Sequence, residues 1–136
     1  GHIVIDDSYN ANPTSVRSAL AELFGNSNYP SNKVVILGDM YELGGASDEE
    51  HDKVLDELIK LDELKLTILV GERLKKAYMK LKDEYQTNNI VHIQRKSEFP
   101  YQQFKESLKD DSVILIKGSR GMKMEKFLEI IVGNIQ

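Results

Sequence analysis

Three polar clusters in this chain carry residue types that do chemistry. The first is Asp6-Asp7-Ser8-Tyr9-Asn10-Ala11-Asn12-Pro13, directly behind the apolar run Ile3-Val4-Ile5. The second is Gly38-Asp39-Met40-Tyr41-Glu42-Leu43-Gly44, and the third is Lys117-Gly118-Ser119-Arg120-Gly121. Their residue types suit an anionic substrate. Lys117 and Arg120 can hold a phosphate or a carboxylate, Arg as a planar fork and Lys as a compact charge. Backbone N–H groups around Gly118 and Ser119, and at a helix start near Pro13, add anion affinity. Asp6 or Asp7 can accept hydrogen bonds from a ribose or an ammonium, or can serve only to shape the loop. Asp39 and Glu42 can bind an incoming ammonium or orient a cation, with a structural loop role as the alternative.

These clusters need a scaffold, and hydrophobic periodicity supplies it. Short β-branched runs predict strands at His2 to Asp6, Lys33 to Leu37, Leu66 to Val70, Ile90 to Ile93 and Ser112 to Ile116. Between them, apolar residues recur at helical spacing: Val16, Ala19, Leu20, Leu23 and Phe24, then Val54, Leu55, Leu58 and Ile59, then Leu74, Ala77, Tyr78 and Leu81. Weaker helices are predicted on Tyr101, Phe104 and Leu108, and on Met124, Phe127, Leu128 and Ile131. Asn12 before Pro13 marks a helix start, and Ser47 with Glu50 has the spacing of a capping box. His51, one residue on, reads as a partly exposed first-turn residue rather than a ligand. Strands alternating with helices imply right-handed crossovers. The predicted fold is a three-layer, Rossmann-like α/β domain: a mainly parallel sheet with helices on both faces. Parallel strands put all three polar clusters at one edge of the sheet, where open α/β sheets bind ligands.

Composition narrows the function further. The 136 residues fit one domain, with 40% hydrophobic and 29% charged residues. A net charge of -4 and the lack of a basic stripe argue against a nucleic-acid partner. Arg73-Leu74-Lys75-Lys76 and the lysines at 123 and 126 read as ordinary helix surface. With no cysteine, disulfides, thiolate metal sites and cysteine nucleophiles are excluded, which suits a reducing cytoplasm. No apolar run approaches the roughly 20 residues that span a bilayer, so no membrane insertion is expected. Neither a phosphate-binding Gly-x-x-x-x-Gly-Lys-Ser/Thr loop nor a Gly-x-Gly-x-x-Gly fingerprint is present, and no histidine pair has zinc spacing. No metal site is therefore assigned to this chain. A working loop placed so near the first residue leads us to expect one domain of a longer enzyme.

The three clusters, with Met122, Met124 and Glu125 after the third, closely resemble the Mur ligase family of bacterial peptidoglycan synthesis. The resemblance runs in order from about Ile3 to Ile131. It implies that residues 1–136 are the C-terminal domain of a three-domain enzyme, with partner domains of its own chain. Those are an N-terminal domain for the UDP-sugar and a central domain holding most of the ATP and Mg2+. It implies an ATP-dependent cytoplasmic ligase that adds D-Ala-D-Ala to UDP-MurNAc-tripeptide through an acyl phosphate. Residue by residue, it implies nucleotide contacts for Asp7, Tyr9, Asn10 and Asn12, with Asp7 the best candidate for the ribose. It implies dipeptide contacts for Lys117, Ser119 and Arg120, with Asp39 and Glu42 bordering that pocket. It assigns no certain catalytic residue to this domain. Tyr41 and the Gly44-Gly45 pair fall at positions expected to vary. The rival readings are a stand-alone nucleotide- or sugar-phosphate-binding module and a signalling receiver domain. The latter shares the paired acids and the Lys, but it needs an Asp after the third strand where this chain has Gly71-Glu72.

Overall fold

A computed structural model of the chain describes residues 1–85 and 89–135. Five strands form one sheet: β1 (Ile3–Asp7), β2 (Asn32–Gly38), β3 (Leu64–Val70), β4 (Ile90–Ile93) and β5 (Ser112–Lys117). Their order is β1-β5-β2-β3-β4, and every pairing is parallel. Helices α1 (Pro13–Gly25), α2 (Ser47–Ile59), α3 (Glu72–Glu84) and α4 (Tyr101–Ser107) fill the four crossovers, and α5 (Lys126–Ile135) follows β5. The strands lie within two residues of the predicted ones. A receiver-type sheet runs 2-1-3-4-5, so the topology removes that rival.

Alternation along the strands divides the core into two layers. Val35 and Leu37 of β2, with Val113 and Leu115 of β5, pack with Leu20 and Leu23 of α1, Leu55 of α2 and Leu74 of α3. Val34, Ile36, Ile114 and Ile116 face the other way, onto Phe104 of α4 and Phe127 and Ile131 of α5. The sheet is thus sandwiched as expected. Central strands β2 and β5 are buried along their whole length, as strands covered on both faces must be.

One predicted local feature does not form. Ser47 already has helical torsions (φ -55, ψ -52), because a 3-10 turn over Gly44–Ala46 runs straight into α2. A capping residue needs an extended backbone, so the Ser47/Glu50 box is lost and Glu50 instead lies near Arg17 and Lys53. His51 also departs from expectation. It is fully buried, donating from Nδ1 to the Ser47 carbonyl (2.7 Å) and accepting at Nε2 from the Met40 N–H (3.0 Å). Those two bonds fix its tautomer and pin the start of the β2 loop onto α2. Across the surface of α2 and α3, Lys76 bonds Asp48 and Lys80 bonds Asp52. The Lys76 hydrogen bond holds the Asp48 carboxyl below its ordinary range, and the bond to Asp52 raises the Lys80 ammonium. Exposed pairs of this kind contribute little to stability.

Two buried polar interactions hold the ligand edge of the sheet. Asp39 is 3% exposed and caps α3, accepting from the Leu74 N–H (2.9 Å) and the Arg73 N–H (3.1 Å). The α3 cap position is Gly71, at φ 118, and a Cβ there would run into the Asp39 carboxylate. Lys117 is 1% exposed and closes the β1–β5 ladder opposite its register partner Asp7. Its ammonium donates to Asp7 Oδ2 (2.5 Å) and to the Asn10 carbonyl (2.9 Å).

Removing the Asp39 cap orphans two helix N–H groups. Asp39→Ala is expected to lose about 2–4 kcal/mol, from the cap and the unsatisfied donors together, read as a lower urea-unfolding midpoint. The Lys117 pair should respond asymmetrically. Asp7→Leu strands a buried ammonium and should cost about 3–5 kcal/mol. Lys117→Met leaves a carboxylate whose side chain is already 29% exposed to water, and should cost less. Equal losses in the two unfolding curves would contradict this account.

Candidate functional site

Because β1, β5 and β2 are neighbours, the loops that follow them lie side by side. The β1 loop turns where the Ser8 N–H bonds Asp6 Oδ1 (3.2 Å), a local turn made by an Asp side chain. It then presents Tyr9, 60% exposed, and Asn10, before Asn12 caps α1. The cap is reciprocal: Asn12 Oδ1 accepts from the Ser15 N–H (2.9 Å), and Ser15 Oγ accepts from the Asn12 N–H (3.0 Å). This matches the helix start expected from Asn12-Pro13.

Ser119 joins the three loops. Its hydroxyl accepts from the Tyr41 N–H (2.8 Å) and donates to the Ala11 carbonyl (3.2 Å), while its own N–H donates to the Asp39 carbonyl (3.2 Å). Asn10 adds an isolated antiparallel bridge to Gly118. The β2 loop is anchored from the helix side as well, since Arg73 donates to the Met40 carbonyl (3.0 Å) and its guanidinium lies over the Tyr41 ring.

The tied loops enclose a cleft of ≈ 350 Å³ lined by Tyr9, Asn10, Ala11, Asn12, Tyr41, Glu42, Leu43, Ser119, Arg120 and Gly121. A broader, open hollow lies beside it, lined by Asp7, Asn10, Asn12, Thr14, Ser15, Ser18, Ala19 and Lys117. Asn10 and Asn12 border both. Of the residues singled out from sequence, Tyr9, Asn10, Asn12, Glu42, Ser119 and Arg120 meet at the first hollow, and Asp7 and Lys117 at the second. Asp39 lines neither, its carboxylate being committed to α3.

The charged groups thus sort into two kinds. Lys117 and Asp39 are buried and spent on internal partners. Arg120 and Glu42 are exposed in the cleft, and neither side chain has a hydrogen bond or ion pair to any described residue. Glu42 also sits in the left-handed region at φ 64, an uncommon conformation for a residue with a side chain. Among the described residues no group of three or more His, Asp or Glu side chains is arranged to hold a metal ion. No helix in the described residues is long and apolar enough to cross a membrane. Sequence reading missed His51, Arg73 and Tyr41. No local pattern marks these three, because each acts through a contact with a residue distant in the chain or on another element.

The comparisons with known proteins agree with this geometry. Residues 1–120 match the family described as "Mur ligase, glutamate ligase domain". The chain is 29% identical over 132 residues to the UDP-N-acetylmuramoyl-tripeptide–D-alanyl-D-alanine ligase of Bacillus subtilis, covering 97% of this chain and 28% of that protein. The ligase of the same name from Rickettsia prowazekii is 32% identical over 127 residues, 93% of this chain and 26% of that protein. Among solved structures, MurF from Acinetobacter baumannii superposes with a TM-score of 0.80 at 30% identity, over 97% of this chain and 28% of that one. MurF ligase from Thermotoga maritima, solved in complex with ADP, shares the fold with a TM-score of 0.76 at 22% identity, over 96% of this chain and 28% of that one. The chain therefore spans little more than a quarter of the length of these relatives. It belongs to the Mur ligase family, in which it corresponds to the glutamate ligase domain.

Proposed function

We propose that this chain is the C-terminal domain of a three-domain, ATP-dependent ligase of the bacterial cytoplasm. The enzyme joins D-Ala-D-Ala to UDP-MurNAc-tripeptide in peptidoglycan synthesis. The observation that carries this reading is the cleft in which Arg120 and Glu42, both without partners, stand among three strand-end loops. The order of the three motifs and the names of the relatives support it.

In that reaction the γ-phosphoryl group of ATP passes to the terminal carboxylate of the tripeptide, and ADP leaves. The dipeptide ammonium gives up a proton to solvent, the free amine attacks the acyl carbon, and inorganic phosphate departs as the C–N bond forms and the nitrogen loses its second proton. A carboxylate is a poor electrophile and its phosphate anhydride a good one, but water attacks the anhydride too. A domain that delivers the amine while excluding water is therefore what the chemistry requires.

On this reading the work is divided among the residues of the two hollows. Arg120 holds the dipeptide carboxylate in a fork, and Glu42 receives its ammonium. Asp7, at the open hollow, meets the ribose, with Tyr9, Asn10 and Asn12 beside the nucleotide. Lys117 acts through Asp7, and Ser119 and Asp39 hold the loops. On this reading magnesium is held by the central domain. A stand-alone nucleotide-binding module would need no free acid and cation in one cleft, and is disfavoured.

Two outcomes test the reading. In the complete ligase, phosphate release should require D-Ala-D-Ala, and Arg120→Ala should raise the dipeptide KM roughly 10–100-fold, the equivalent of one charge-assisted hydrogen bond. Dipeptide-independent release would refute it. The 136-residue chain alone should turn over no ATP; steady turnover by a preparation free of other ATPases would return us to the module reading.

A further inference from the structure

Arg120 has no side-chain partner, so its place in the cleft is set by the backbone around it. That backbone is a 3-10 turn of three residues, Arg120–Met122, closed by Met122 N–H to the Ser119 carbonyl (2.9 Å). A single such turn has little stability of its own and needs an outside hold. Tyr41 supplies one on either side of Arg120. Its backbone N–H, which every variant at this position keeps, donates to Ser119 Oγ (2.8 Å), and its hydroxyl donates to the Met122 sulfur (2.8 Å). Between those points the ring lies against Gly121, where a Cβ would come within 2.8 Å of Tyr41 Cε2 and 3.2 Å of Cδ2. The ring itself is held by Arg73, whose guanidinium sits 4.4 Å from its centroid.

We propose that Tyr41 is a positioning residue for Arg120, fixing where that guanidinium stands in the acceptor cleft, and that Arg73 steadies Tyr41 from α3. The inference rests on the reading of Arg120 as the dipeptide's carboxylate partner. It predicts specificity in the damage. Loosening Tyr41 should weaken recognition of the dipeptide and largely spare the nucleotide, because the Asp7–Lys117 pair, the Asn12 cap of α1 and the Asn10–Gly118 bridge are all held by contacts that do not involve the Tyr41 side chain.

The test measures KM for both substrates in the complete ligase. Tyr41→Ala should raise the dipeptide KM about tenfold and leave the ATP KM within about twofold. Tyr41→Phe keeps the ring against Gly121 and under Arg73, and should recover most of the loss. Gly121→Ala, which pushes the ring from the other side, should produce the same selective rise, and serves alone should Tyr41→Ala fail to fold. The double variant Tyr41→Ala/Arg120→Ala decides the route: if Tyr41 acts through Arg120, its dipeptide KM equals that of Arg120→Ala alone. Multiplying effects, an equal rise in both KM values, or no effect of either Tyr41→Ala or Gly121→Ala would overturn the proposal. If Arg120→Ala itself leaves the dipeptide KM unchanged, the reading of the cleft falls first, whatever Tyr41 does.

Discussion

The ligand edge of this domain depends on one hydroxyl. Ser119 is 8% exposed, and its Oγ serves two partners at once, the Tyr41 N–H and the Ala11 carbonyl. A hydroxyl can do this because it is both donor and acceptor and rotates to suit. The partners are 78 and 108 residues away in sequence, so the contact exists only once β1, β5 and β2 are side by side. Each backbone group it meets would otherwise be left without a partner as the loops close over it, at a cost comparable to the bond itself. The same residue's N–H reaches Asp39. Three strand-end loops thereby become one surface, and the cleft inherits its shape from that junction.

Depth then decides what each charge does. Lys117 and Arg120 are three residues apart and both cationic, yet Lys117 ends a central strand while Arg120 starts the turn beyond it. The compact ammonium is buried and bonded to Asp7 and the Asn10 carbonyl, while the guanidinium remains at the surface with its donors uncommitted. The acids divide in the same way: Asp39 is locked under α3, and Glu42 stands in the cleft. Of the four charged residues that the family resemblance implies for the dipeptide pocket, Lys117 and Asp39 thus belong to the frame, and Arg120 and Glu42 are displayed on it.

How far the sequence could be read follows from which contacts are local. Strand runs and helix faces are local patterns, so the three-layer sandwich and the shared edge of the three clusters were legible. Asn12-Pro13 was legible as a helix start for the same reason. Strand order was not, since Ile3-Val4-Ile5 and Val113-Ile114-Leu115 carry nothing that says they pair. His51 lies in the polar stretch Ser-Asp-Glu-Glu-His-Asp-Lys and looks exposed, because its acceptor role toward Met40 is visible only in three dimensions. Arg73 likewise looks like helix surface, and the residue is exposed, but its guanidinium is engaged by the Met40 carbonyl and the Tyr41 ring. Asp39 caps a helix that begins 33 residues later, so no short motif announces it.

Glu42 links the frame to the chemistry. Its φ of 64 is a conformation that glycine adopts freely and other residues adopt at a cost. The sequence has glycines to spare in this loop, at 44 and 45, but not at 42. The strain persists because the preceding residues are fixed: Met40 by His51 and Arg73, Tyr41 by Ser119 and Met122. Strain held in place by its surroundings is characteristic of functional sites. The carboxylate gains no partner from the protein in return, so fold stability does not account for an acid at this position. On the proposed reading it is accounted for by the ligand: the left-handed turn puts one acid in the cleft that holds Arg120, and a zwitterionic dipeptide carries the two charges that match.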